Sequence, residues 1–211
     1  MNLIISLFSG FISAFIGITP PGLLNMTAAK VGMKEGKRNA FWFVFGAIIV
    51  IFFQVYIAVL FARIINARPD IILLLREVGF VIFGVLTIYF LWIAKKPKIK
   101  QPKIKKYSKK KRFFTGMLLS GLNFFPIPYY VFVSVSLYSY AVFSFDVASI
   151  FVFVSGAVLG SIVVFYFYIS FFQRIEKKAD YILRNMNTII GTITGLVSVV
   201  TLINILKYYF Y

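Results

Sequence analysis

Six apolar segments, each of the length of a membrane span, leave only short connections in a chain of 211 residues. A spanning helix needs about 20 apolar residues, so little remains for a soluble domain. If all six segments cross, every Lys and Arg but four of the 23 falls on one face; the exceptions are Arg63, Arg68, Arg76 and Lys207. Membrane proteins keep their positive charge on the cytoplasmic side. The expected fold is therefore all-α and integral to the membrane, with six transmembrane helices and both termini outside the cytoplasm. Heavy use of Lys, Ile and Phe suits an AT-rich bacterial genome, which makes the expected location a bacterial inner membrane, multi-pass.

Composition excludes several classes of function. Hydrophobic residues make up 61% of the chain and charged ones 14%, against roughly 45–50% and 25% in soluble domains. A net charge of +17 would suggest nucleic acid in a soluble protein. Here the charge sits in loops, where topology and attraction to anionic lipid account for it, and no nucleic-acid partner is expected. Cysteine and histidine are both absent. That removes disulfides, thiol and imidazole catalysis, and the commonest soft-metal ligands, so no cofactor or metal is expected.

The spans are drawn over 3–29, 40–62, 78–94, 113–137, 148–172 and 188–206. No basic residue precedes the first and no typical cleavage site follows it, so it is read as a retained helix and not a signal peptide. Between the third and fourth lies a linker, 95–112, with eleven positive charges and no negative one. It divides one membrane domain, 1–211, into halves of three spans, 1–94 and 113–211. The halves echo one another about 111 residues apart: Gly46-Ala47 answers Gly156-Ala157, Arg63-Ile64 answers Arg174-Ile175, and Gly84 answers Gly195. Three spans per half would set the halves in opposite orientations, an inverted repeat of the kind that places a substrate site near the midplane.

Polar residues inside spans are expensive and mark the next clue. No Asp, Glu, Lys or Arg lies deep in any span. The polar or helix-breaking exceptions are Thr19, Pro20, Pro21, Gly22, Asn25 and Thr27 in the first, Gln54 in the second, and Asn123, Pro126 and Pro128 in the fourth. Two prolines deny hydrogen bonds to the Ile16 and Gly17 carbonyls and break the helix. Thr19 is placed to cap a fresh helix beginning at Pro20, with the Gly22 and Leu23 amides free in its first turn. Such a terminus attracts a carboxylate, while the free carbonyls upstream can accept from an ammonium group. At 1.5 Å per residue, Pro20 lies about 15 Å from Lys30 and Asn123 about 16 Å from Arg112, so both breaks reach the middle of a roughly 30 Å core.

Blander readings stand beside each of these. Prolines also kink packed helices without binding anything. Gln54 and Asn123 either line a substrate path or bond a neighbouring helix. Gly156 with Gly160, and Gly191 with Gly195, read as close-packing seams, serving a homodimer as well as the interior of one chain. Trp42, Trp92, Tyr138 and Tyr140 read as interfacial anchors. The basic linker reads as a topology signal in contact with anionic lipid.

These residues carry a family resemblance. The stretch "TPPGLLNMTAAKVGMKEGKRNAFWFVFGA" is similar to the first span and loop of the LysE/RhtB superfamily of amino-acid exporters, with PPG where that family has PGP. Gly32 and Gly36 stand at its loop spacing, and "LNFFPIPYYVF" stands where it has NP in the fourth span. The resemblance implies secondary transport: export of an amino acid or similar small metabolite, driven by the membrane potential or a proton gradient. It carries the site over onto Pro20, Pro21, Gly22 and Asn25 in the first half and Asn123, Pro126 and Pro128 in the second. With no acid in the core, coupling falls either to Glu77 or Asp146 at a membrane edge or to charge movement alone. An enzyme would need converging acids or metal ligands, which no span supplies. The rival reading is a non-transporting scaffold or a protein that works through anionic lipid at its linker.

Overall fold

The computed structural model describes residues 3–20, 22–67, 69–94 and 107–210; Pro21, Arg68 and linker positions 95–106 lie outside it, as do the side chains of 69–76, 172–184, 186, 189 and 193, including Arg76 and the Arg174-Ile175 echo. The described residues form helices α1 (Leu3–Ile18), α2 (Leu23–Glu35), α3 (Lys37–Asn66), α4 (Pro69–Ile88), α5 (Lys109–Gly121), α6 (Pro126–Ser139), α7 (Val147–Arg184) and α8 (Met186–Phe210). A single π-helical turn, Tyr89–Ile93, continues α4. No strand occurs among them.

Among the described residues three segments are long and apolar enough to cross a membrane, Lys37–Asn66, Val147–Phe171 and Ile190–Phe210. Two bent pairs, α1 with α2 at 81° and α5 with α6 at 60°, would bring the number to five; Glu77–Ile93, in the expected third span, is shorter. Large apolar side chains face outward along these helices, Phe41, Leu118 and Phe132 each 61% exposed. A soluble surface seldom carries so much contiguous apolar area, whereas lipid accepts it.

Two compact units divide the chain, and they cut across its halves. One contains Met1–Ile64 with Pro102–Glu176; the other contains Ile65–Gln101 with Lys177–Tyr211. Each half thus gives its broken span and its second helix to the first unit and its third helix to the second. In the second unit α4 crosses α8 through small residues. Gly195 lies against Thr87, Gly191 against Leu91, and Gly84 near the Ser198 hydroxyl, while Thr87 Oγ1 donates to Thr194 Oγ1 at 3.0 Å.

The first unit has a core of Phe43, Tyr130, Phe143, Phe153 and Phe165, all fully buried. Two helix crossings through glycine set its spacing. An ideal Cβ on Gly46 of α3 would lie 2.1 Å from the Phe113 carbonyl oxygen, and one on Gly116 of α5 would lie 1.9 Å from that of Phe43. At the other crossing, Gly10 of α1 and Gly156 of α7 face the carbonyls of Phe153 and Leu7 at 2.0 and 2.1 Å. In both, each glycine sits over the carbonyl three residues before its partner glycine. Only a residue without a side chain lets two backbones approach so closely. Gly160 extends the second seam along Phe11 and Ala14.

The connection between α2 and α3 explains the paired glycines of the first loop. Gly36 adopts φ 89°, a left-handed conformation that favours glycine, and donates its N–H to the Gly32 carbonyl at 3.1 Å. Gly32 itself lies against Ile169 and Ala40. Helix α7 starts with its own cap, Asp146 Oδ1 accepting the Ser149 N–H at 2.9 Å.

Candidate functional site

The first break is held by donors from three elements. Helix α1 ends at Ile18, where the N–H and hydroxyl of Thr19 both turn back to the Phe15 carbonyl. Thr19 therefore closes α1 and does not open α2. The new helix begins three residues later than the sequence suggests, at Leu23 with Gly22 as its cap residue. Proline has no N–H and fixes its own φ, so α1 cannot continue through Pro20. From α2, Asn25 Nδ2 donates to the Ile18 carbonyl at 2.5 Å and to that of Pro20 at 3.2 Å. From α7, Tyr168 Oη donates to the Thr19 carbonyl at 2.7 Å.

What remains open there is a set of amides. Among the described residues nothing accepts from the N–H groups of Gly22, Leu23 and Leu24, and Gly22 offers no side chain to cap them. A Cβ added to Gly22 would meet nothing within 4 Å. Thr19, Pro20 and Leu23 are exposed, whereas Asn25 is buried. The first turn of α2 is thus an uncapped helix N-terminus facing free space.

The second break differs in kind. Helix α5 stops at Gly121 and α6 begins at Pro126, with Pro126 and Pro128 both in its first turn. Neither proline has an N–H, and Ile127 N–H is bonded to the Phe124 carbonyl at 3.3 Å. The first turn of α6 therefore offers no free amide. Gln54 reaches across from α3 and spends its Nε2 on the carbonyls of Ser120 and Asn123, at 3.1 and 2.8 Å. Of the two roles open to it from sequence, this contact is the bond to a neighbouring helix. Its Oε1 stays buried without a partner, as do the hydroxyls of Ser120 and Tyr130. The Asn123 side chain and Pro128 are exposed and Pro126 is half-buried.

The breaks meet through Tyr129. Its hydroxyl, one turn into α6, donates to the Ser13 carbonyl at 2.7 Å, and its ring covers Gly17. A residue of the second half thus packs on the end of α1. The bridging tyrosines, Tyr129 and Tyr168, and the Ser120 hydroxyl are absent from the set predicted from sequence. A phenol in mid-span was the available signal, since it must find a partner there.

The acidic residues lie away from the breaks. Glu35 Oε2 accepts from Arg112 Nε at 2.8 Å and Arg112 Nη2 pairs with Oε1; both side chains are buried, at 1% and 4% exposure. The Arg112 guanidinium holds the Glu35 carboxyl below its usual range, and the Tyr107 ring stacks 4.8 Å from the guanidinium. This clamp joins the end of α2 to the start of α5. Asp146 is a helix cap, its carboxyl held well below the usual range by the hydroxyls of Ser144 and Ser149. Glu77 accepts from Tyr209 at 2.7 Å. No group of three His, Cys, Asp or Glu that could hold a metal occurs among the described residues.

A family model for LysE type translocators matches residues 15–204, which include both breaks. No curated protein and no solved structure matches the chain.

Proposed function

The chain belongs to the LysE type translocator family, a family of transporters and not of enzymes, and from that premise we propose that it exports an amino acid or similar small zwitterion by alternating access. The observation that carries this reading is the uncapped start of α2. The free N–H groups of Gly22, Leu23 and Leu24 suit a carboxylate, and the open space over Gly22 gives it room. Pro20 and Pro21 keep the break from healing into continuous helix, and Asn25 holds its two sides in register. Gln54, Asn123, Pro126 and Pro128 form the opposing break.

The proposed architecture is six spans in two inverted repeats, with the substrate where the two breaks meet. Support comes from the paired glycine crossings. Span two of the first half meets span four as span five meets span one, with the same three-residue offset in each. Cross-bonding follows the same pattern: Gln54 of α3 serves the break in the second half, and Tyr168 of α7 serves the break in the first. A bacterial inner-membrane location with both termini outside follows from the charge distribution. Anionic lipid at the basic linker and a homodimer complete the proposal.

The test is efflux. Cells lacking or overproducing the protein are loaded with amino acids by dipeptide feeding, and the medium is profiled over minutes. The overproducer is expected to release one or a few amino acids faster, and Gly22→Leu to abolish the difference. Gly22 has φ −125°, which any residue adopts, and nothing near its Cβ position. The variant should therefore reach the membrane in normal amount, so that its loss of export reports the site. Unchanged profiles with a folded, inserted protein would remove amino acids as the substrate and bring the scaffold reading forward.

A further inference from the structure

The two breaks differ chemically. The first presents donors, the N–H groups of Gly22, Leu23 and Leu24. Most of its acceptors are taken: Phe15 by Thr19, Ile18 and Pro20 by Asn25, and Thr19 by Tyr168. Of the two carbonyls left, that of Ile16 belongs to a residue 62% exposed on the outside of α1. That of Gly17 belongs to a residue covered by the Tyr129 ring. An ammonium group finds little to bind there.

The second break presents fewer donors at its helix start. Pro126 and Pro128 have no N–H and that of Ile127 is bonded, which leaves those of Phe124 and Phe125 before the helix. Beside it lie three buried oxygens without partners: Gln54 Oε1, Ser120 Oγ and Tyr130 Oη, on residues 7%, 1% and 2% exposed. Gln54 and Ser120 are neighbours, because Gln54 Nε2 already bonds the Ser120 carbonyl. Tyr130 follows one turn into α6, where its ring packs on Phe153 of α7. A buried polar atom without a partner costs about 1–3 kcal/mol, so the neighbouring pair on Gln54 and Ser120 calls for a ligand that donates.

We propose that the Gln54 amide oxygen and the Ser120 hydroxyl form the ammonium subsite of the transported zwitterion, whose carboxylate lies on the first turn of α2. The substrate then bridges the two halves, each of which holds one of its charges. The assignment rests on the transport reading above and refines it. It selects substrates with both groups: an amine without a carboxylate, or a carboxylate without an amine, leaves one break unsatisfied.

The chain contains no cysteine, so single thiols can be placed without further change. Gly22→Cys and Ser120→Cys would be reacted in membrane vesicles with two methanethiosulfonates, one carrying trimethylammonium and one carrying sulfonate. Each rate is divided by that reagent's rate with a free thiol in solution. The cation-to-anion ratio is expected to be at least tenfold higher at Ser120→Cys than at Gly22→Cys. Equal ratios, the opposite order, or no reaction at either position would overturn the assignment. Should either variant fail to insert, Leu23→Cys and Asn123→Cys, both at exposed positions, take their places with the same expectation. If the ratio holds while no amino acid is exported, the transport reading fails and the complementary breaks stand. If export holds while the ratio is flat, the subsite alone is wrong.

Discussion

Alanine at Gly46 and alanine at Gly156 should destabilise the protein by closely similar amounts. At each position the new Cβ would fall 2.1 Å from a backbone carbonyl oxygen, where real Cβ contacts essentially never come under 3.0 Å. The crossing must therefore open by about 0.9 Å. A backbone carbonyl within a helix cannot rotate aside as a flexible side chain would, so two helices separate along their seam. Overpacking of this kind costs about 1–3 kcal/mol, and a gap of 0.5–1 Å forfeits about a quarter to a half of each neighbouring dispersion contact. At about 2–4 °C per kcal/mol for a chain of this size, each variant should lose its monodisperse peak in detergent about 2–12 °C below wild type. Gly22→Ala, with open space around it, is the control and should not fall, since removing backbone freedom at a compatible site stabilises by about 0.4–1 kcal/mol. One crossing tolerant and the other not would refute their equivalence, and with it the support they lend to an inverted repeat. Two tolerant crossings would mean that the seams are not tight.

Other variants probe the clamp and the second break. Arg112→Leu leaves the buried Glu35 carboxylate uncompensated and should cost about 3 kcal/mol at neutral pH, read as thermal stability in detergent. The folded Glu35 pKa lies below its ordinary 4.5, so the pair's contribution is complete above that pH and is lost as pH falls through the folded value. The gap between wild type and Arg112→Leu should accordingly be flat from pH 5 to 8 and close toward pH 3; a gap that instead closes toward alkaline pH would show that the pair is not its source. Ser120→Ala and Tyr130→Phe each delete a hydroxyl that bonds nothing in the protein, so thermal stability should hold or rise. Ser120→Ala should also raise the KM for export several-fold, and an unchanged KM would count against its contact with substrate.

Much of the fold was legible because the membrane imposes a simple code. The long apolar helices follow from hydropathy, and the breaks at Thr19–Gly22 and Asn123–Pro128 follow from what proline does to a helix. Register within a break was not legible. Thr19 has the right chemistry for a helix start, yet its hydroxyl is equally able to return to the carbonyl four residues back, and only the end point of α1 decides between them. Pairing across the chain was hidden too. Nothing local to Tyr168 says that its hydroxyl will find Thr19, 149 residues away, or that Glu35 will leave its basic loop to meet Arg112. Sequence marks Gly156, Gly160, Gly191 and Gly195 as seams but not Gly10 or Gly116, and the partner of each seam is a tertiary fact. Gly46 and Gly156 looked like counterparts in sequence. Their contacts add that each meets the broken span of the other half.

That cross-pairing bears on how opposite halves come to do different chemistry. On the proposed inverted repeat, the two halves would begin with equivalent breaks, and two equivalent helix starts would offer two anion sites. A zwitterion needs one anion site and one cation site. The second break loses anion character at its helix start, since Pro126 lacks the amide that Leu23 keeps and Ile127 spends on the Phe124 carbonyl the one that Leu24 keeps. The neighbouring helices complete the difference. Tyr168 brings to the first break a single hydroxyl, which is used on a carbonyl, whereas Gln54 brings to the second an amide whose nitrogen is used and whose oxygen is left over. An amide is the side chain that can both satisfy the broken backbone and still present an acceptor. Gln54→Glu separates these two tasks. It keeps the length and the acceptor but removes the donor to Ser120 and Asn123, so the protein should lose stability while its preference for a cationic group at the second break grows. Loss of stability with no gain in the cation-to-anion labelling ratio at Ser120→Cys would place Gln54 in the scaffold and leave the ammonium to other groups.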